Sequence, residues 1–196
     1  MELTGSLLVV TPPSSEPVTL AEAKSQCRVD VSDDDDLITA YIQTAREYVE
    51  AVTRRALLTQ TLELRLDEWP DGEAIYLPRP PVQSVESVTY LDEDGNEQSF
   101  DASNYVVDTT CVPARVVLVS GVSWPSDDLY PAGAVRVRYV AGWSSAGDVP
   151  RPIRQAILML VGHWYENREA TVAVGNTHVV PFAVDALLWS WRVLQF

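Results

Sequence analysis

The sequence predicts an α+β fold in which two N-terminal and two C-terminal helices form a frame around an inserted antiparallel β domain. Apolar residues recur at a helical period up to about Arg55 and alternate with period two from Leu57 to Trp143, and the helical period returns after Asp148. We therefore expect an N-terminal helical part (1–56), a β insertion (57–145), and C-terminal helices with a final apolar segment (146–196) that form one structural unit with residues 1–56.

The N-terminal part contains the signals of two helices. Thr19 is followed three residues later by Glu22, the spacing of a capping box, and predicts a short helix over roughly 20–27. A longer helix begins at the acidic run 33–36 and carries Arg54 and Arg55 in its last turn, where positive charge interacts favourably with the helix dipole. Its apolar positions lie on a single stripe, formed by Leu37, Ile38, Tyr41, Ile42, Ala45, Tyr48, Val49 and Val52.

The middle of the chain has the short alternating runs of an antiparallel sheet or sandwich. Asp94 and Gly95 predict a hairpin turn between Leu91 and Phe100. Three prolines at 78, 80 and 81 would break a hydrogen-bonded ladder, so that stretch is expected to be an edge or a connector. The predicted strands are 59–66, 84–90, 105–107, 116–119 and 135–140.

The C-terminal part returns to helix. Pro150 and Pro152 stand at the entry of a helix over about 153–168, where proline is tolerated. Residues 170–180 contain a Gly-Asn pair and predict a mobile loop. The core stripe of the helix is expected to be Ile157, Leu160, Val161 and Trp164.

Composition and charge exclude several classes of protein. With 46% hydrophobic residues the chain can form a core, and it has no apolar run of the ~18 residues that cross a membrane. The N-terminus lacks the basic region of a secretory signal, and two cysteines provide neither a disulfide framework nor a cysteine-rich zinc site. The 14 basic and 28 acidic residues give a net charge of −14, which argues against binding to the phosphate backbone of DNA.

The residues with metal-binding or catalytic chemistry do not form a recognisable site. His163 and Glu166 lack the second histidine of a zinc-protease motif, and His178 stands in the predicted loop. The run 33–36 is interpreted as a helix start, and residues 92–96 as a turn, because their glycine falls too early for an EF-hand. We predict no metal, no cofactor and no enzymatic activity, with an acidic hydrolase as a remote alternative.

The last fifteen residues, 182–196, are nearly all apolar. Trp189 and Trp191 would point roughly 200° apart on a helix, so one core could not easily bury both. The segment is either a core helix of the same domain or a docking segment that another subunit encloses, with tryptophan and arginine as anchors. We favour docking.

Several separated segments together resemble the head–tail connector (adaptor) proteins of long-tailed double-stranded-DNA phages. The similarity is closest to the branch with a β insertion, which is also found in prophages and gene transfer agents. It covers nearly the whole chain, at residues 20–24 (LAEAK), 28–30 (RVD), 35–38 (DDLI), 45–50 (AREYVE), 77–82 (LPRPPV), 87–91 (SVTYL), 150–156 (PRPIRQA), 162–169 (GHWYENRE) and 181–188 (PFAVDALL).

The resemblance implies a structural role without catalysis or cofactor. Such adaptors are made in the host cytoplasm and form a ring, commonly of twelve copies, in the neck of the particle. The ring lies between the portal protein and a stopper or tail-terminator protein and extends the DNA channel. DNA would pass without specific binding along an acidic wall, and no membrane is involved. A tail-completion or stopper protein of the same neck is the alternative.

In relatives the C-terminal segment engages the portal. By that resemblance we expect Trp189, Trp191, Arg192 and Phe196 to contact the portal, and Phe182 and Leu188 to seat the helix.

Overall fold

The computed structural model describes residues 5–168 and 182–193, with the backbone alone for Phe182. The described residues form a β unit (5–14 and 59–142) and a helical unit (15–58, 143–168 and 182–193). Helices at both ends of the chain flank a β region of two antiparallel sheets, which confirms the predicted α+β class. Within these residues no helix is both long and apolar enough to cross a membrane. The predicted loop at 170–180 and its His178 lie outside the described residues.

The helical unit contains α1 (Leu20–Cys27), α2 (Asp35–Thr53), α3 (Arg151–Glu166) and α4 (Phe182–Trp189). The predicted capping box is present: the amide of Glu22 donates to Thr19 Oγ1 over 3.2 Å, and the amide of Thr19 donates to Glu22 Oε2 over 2.8 Å. The apolar stripes of the two long helices meet in one core, where the buried side chains include Ile38, Ile42, Ala45, Val49, Ile153, Ala156, Ile157, Leu160 and Val161.

Two carboxylates of the acidic run at the start of α2 have partners in the same unit. Asp34 accepts from the hydroxyl of Tyr165 at 2.6 Å and from Arg168 at 2.7 Å. Asp35 forms an ion pair with Lys24 at 2.6 Å. These carboxylates therefore tie the start of α2 to α1 and to the end of α3.

The placement of Arg55 in the last turn of α2 is wrong. The helix ends at Thr53, and Arg54 follows as a C-cap in the left-handed region, with φ of 56°. The left-handed cap ends the hydrogen-bonded spiral, so Arg55 lies beyond the helix.

The β unit consists of two antiparallel sheets. The five-stranded sheet has the order β1-β2-β8-β4-β5, and the three-stranded sheet has the order β3-β7-β6. The strands are β1 (Gly5–Thr11), β2 (Gln60–Leu66), β3 (Ala74–Leu77), β4 (Val82–Leu91), β5 (Glu97–Ser99), β6 (Tyr105–Asp108), β7 (Ala114–Leu118) and β8 (Val135–Ala141).

Alternation along β2 and β8 separates a buried face from a polar one. Leu62 lies opposite Tyr139 and Leu64 opposite Val137, and all four side chains are buried. The intervening residues face the other way, and there Glu63 lies opposite Arg138 and Arg65 opposite Arg136. The predicted hairpin is confirmed, with β4 and β5 joined through a turn in which Gly95 has φ of 82°.

The assignment of the first residues to a helical part is wrong, because Gly5–Thr11 form the strand β1 at the edge of the five-stranded sheet. β1 is apolar on both faces and exposed on both, so it lacks the alternation by which strands are recognised. Its partner β2 begins at Gln60, far away in sequence. β1 packs closely against β2 at Gly5, where a Cβ atom would lie 2.6 Å from the carbonyl oxygen of Arg65. Sequence reasoning also missed the four-residue strand β3.

Candidate functional site

The candidate docking site is the C-terminal helix α4, which packs against α3 and α2 in the helical unit. Val184 and Leu188, four residues apart, are both fully buried in the helical core. Trp189 faces outward with 72% of its surface exposed. The helix is therefore anchored on one side and presents a large aromatic side chain on the other.

The turn after α4 is attached to the end of α2. Arg55 Nε donates to the carbonyl oxygen of Trp191 over 2.7 Å, and its guanidinium lies 6.0 Å from the centre of the Trp191 ring. The amide of Val193 donates to the carbonyl oxygen of Thr53 over 2.9 Å. Burial lowers the pKa of the Arg55 guanidinium, but a guanidinium stays charged at neutral pH. These contacts fix residues 191–193 without help from a partner.

Arg192 connects the turn to the exposed face of α4. Its guanidinium carbon lies 5.5 Å from the centre of the Trp189 ring, a cation–π distance. It also forms a 3.2 Å ion pair with Asp185, one helical turn before Trp189. We call Asp185, Trp189 and Arg192 the Trp189 patch.

The six expected portal-binding and seating residues thus fall in different environments. Leu188 is buried in the core, Trp191 is half-buried against it, and Trp189 and Arg192 belong to the Trp189 patch. Phe196 and the side chain of Phe182 lie outside the described residues. Sequence reasoning missed the contact between Arg55 and Trp191, because an arginine near a helix end does not reveal a carbonyl partner 136 residues away.

The residues considered for metal binding have local structural partners. The carboxylate of Asp92 accepts from the backbone amides of Asp94 and Asn96, and hydrogen bonds from Gln98 and Asn96 hold the pKa of Asp92 below its usual range. His163 lies near the end of α3, where its ring contacts the side-chain amide of Asn167. Among residues 5–168 and 182–193, no three His, Cys, Asp or Glu side chains come together as metal ligands would.

The two cysteines are free thiols in separate units. Burial raises the pKa of the Cys27 thiol, which disfavours the reactive thiolate. The Cys111 thiol donates to the Asp108 carboxylate over 3.2 Å, and Thr110 and Arg115 donate to the same carboxylate. Their contacts are those of structural side chains.

Residues 17–113 match the family model of phage gp6-like head-tail connector proteins. These residues belong to the head–tail connector family. The matched part of this connector contains α1, α2 and most of the β unit, and it includes Arg55, but it ends before α4. No curated protein matches the chain.

Solved structures similar to this connector extend the likeness to the C-terminal helices. A chain from the virion of a native gene transfer agent particle matches with a TM-score of 0.78 and 25% identity over 97% of this chain and 96% of that chain. A chain from the neck of a native particle, computed with C12 symmetry, matches with a TM-score of 0.77 and 25% identity over 97% of both chains. The fold is also shared with a chain of the empty-particle neck, computed with C6 symmetry (TM-score 0.79, 24% identity, 97% of both chains).

Proposed function

We propose that this connector is a structural adaptor in the neck of a phage-like particle of the gene transfer agent type. The observation that supports it is the likeness to virion and neck chains over 97% of this chain, together with the connector family match. The family and the similar structures are structural proteins of a particle, and the protein acts by holding components together rather than by catalysis.

The adaptor forms a ring, and the C12 symmetry of the similar neck favours twelve copies. The ring lies between the portal protein and a stopper or tail-terminator protein and extends the DNA channel. The net charge of −14 suits a channel wall that repels phosphate, so that DNA slides through without specific binding.

The C-terminal segment is the portal contact of this ring. Trp189 supplies a large exposed aromatic surface, and Arg192 lies over its ring beside Asp185. Tryptophan and arginine are the residues most enriched in the energetic centres of interfaces. Trp191, which is half-buried, contributes its accessible surface, and Phe196 completes the contact. Phe182 and Leu188 seat the helix, and Leu188 has the burial that this role requires.

Affinity capture from particle-producing cells tests the proposal, comparing the full chain with Trp189→Ala. The matched control is Tyr76→Ala, since Tyr76 is an aromatic side chain with 46% exposure in the β unit. A point variant is sharper than a truncation before α4, which would remove Val184 and Leu188 from the core.

We expect the full chain and the control to recover portal and neck proteins, and Trp189→Ala to recover at least about tenfold less portal protein. Recovery of tail proteins without portal protein would identify a tail-completion or stopper protein instead. Capture of neither portal nor tail proteins by the full chain would refute the adaptor.

A further inference from the structure

The strand β1 leaves an apolar edge of the five-stranded sheet uncovered by the described residues. It pairs with β2 on one side, and no described strand pairs with its other side. Six of its seven residues are exposed and the seventh is half-buried. Its large apolar side chains Leu8, Val9 and Val10 are 40%, 51% and 43% exposed. Exposure of these apolar side chains to water is unfavourable in free energy, and contact with another chain would bury them.

β1 also lacks the features that protect the edges of sheets. Natural edge strands are shortened or carry charged residues or proline, which prevent another strand from pairing. β1 has seven residues, whereas the other edge strands β3, β5 and β6 have four, three and four. It contains no proline, and no charged residue occurs from Gly5 to Ser15.

The charge of the whole chain favours this edge as a contact between copies. Each copy carries a net charge of −14, so two copies repel each other wherever their acidic surfaces meet. Copies therefore associate best at a surface free of charge. Residues 5–15 meet this requirement, because they include no charged side chain and the strand β1 within them is largely exposed.

We infer that the open edge of β1 is an interface between neighbouring copies of this chain, where a second copy covers Leu8, Val9 and Val10 and pairs with the free backbone groups of the strand. The inference rests on the proposed ring, because every subunit of a cyclic ring must present a face that the next subunit covers. Backbone pairing at a free edge provides affinity, and the apolar side chains add buried area.

Photo-crosslinking in purified particles tests this interface. The photoreactive residue p-benzoylphenylalanine replaces Val9 in the producing cells, and in a matched control it replaces Val106. Val106 is 58% exposed and also belongs to an edge strand, β6 of the three-stranded sheet. Both positions are exposed, so the same photoreactive residue can be placed at either one without displacing the core.

We expect irradiation to give a covalent dimer of this chain from position 9 and none from position 106, with both proteins present in the particles. A cross-link from position 9 to a different protein, or no cross-link although the chain is in the particle, would overturn the inference and leave the adaptor proposal intact. Absence of the unsubstituted chain from the particles would refute the adaptor, and the inference with it.

A charged edge gives an independent readout of the same contact. Val9→Lys should reduce incorporation of the chain into particles at least about tenfold, whereas Val106→Lys should not. Far-UV circular dichroism and the melting temperature of the purified variants show whether each one folds. Normal incorporation of a folded Val9→Lys variant would contradict the interface.

Discussion

At the scale of single residues, Glu63 shows how this acidic chain holds a carboxylate in a nearly inaccessible place. Its surface is 4% exposed, and it accepts from Arg138 at 2.6 Å and from Arg65 at 2.7 Å. Burial by itself would raise the pKa of Glu63. The hydrogen bonds and charges of the two arginines outweigh burial and lower that pKa below its ordinary value of 4.5.

The lowered pKa predicts a pH-dependent effect of Glu63→Gln. A carboxylate whose pKa is lower in the folded state stabilises the fold above its unfolded pKa, and this stabilisation is lost as the pH falls through the folded pKa. The variant should therefore lower the free energy of unfolding at pH 7 by about 1–3 kcal/mol, because glutamine has no charge and keeps only one oxygen to accept from the two arginines. Below a pH of about 4.5 the difference from the wild type should shrink.

Urea unfolding followed by circular dichroism at neutral and acidic pH measures this difference. Glu93→Gln is the control, since Glu93 is an exposed glutamate in the turn between β4 and β5. An equal loss of stability at both pH values would show that the charge of Glu63 is not the cause.

At the scale of elements, the capping box explains why an eight-residue helix, α1, begins at Leu20. Thr19→Ala removes the hydroxyl that accepts a hydrogen bond from the amide of Glu22. The variant should lower the free energy of unfolding by about 1 kcal/mol. Thr44→Ala is the matched control in the interior of α2, where alanine is the better helix former. Chemical unfolding of both variants measures the effect, and equal stability of the two would argue against the cap.

The helix α4 separates a buried side from an exposed side within two adjacent residues. Leu188→Ala should lower the free energy of unfolding by about 2–5 kcal/mol, because it leaves a cavity in the helical core. Trp189→Ala should change it by no more than about 0.5 kcal/mol, because Trp189 is largely exposed. Thermal unfolding of both variants distinguishes these roles, and a large destabilisation by Trp189→Ala would mean that its loss of binding reflects misfolding.

The helices could be predicted from the sequence to within a few residues because each signal is local. The capping residues of α1 and the apolar stripes of α2 and α3 lie within the elements that they describe. For α4 the sequence left open whether the helix belongs to the core or to an interface. The structure places Val184 in the core and leaves Trp189 exposed, so one helix has a buried side and an exposed side.

At the scale of the whole molecule, the charge of −14 predicts that the protein does not bind duplex DNA by itself. Anisotropy of a short labelled duplex should show no binding at about 50 mM or about 200 mM salt, because a chain that repels phosphate has few counterions to release. Binding that weakens as salt increases would instead reveal a basic surface and contradict a non-adhesive channel wall.

The sequence by itself determined the α+β class, the positions of the helices and of the alternating strands, and the acidic charge. Each of these follows from composition or from periodicity within one segment, which reports how that segment is buried. Only the tertiary structure decided that Gly5–Thr11 pair with β2, that Arg55 binds the carbonyl of Trp191, and which side of α4 faces the core. These contacts join segments far apart in sequence, and no local pattern encodes which distant partner the folded chain brings near.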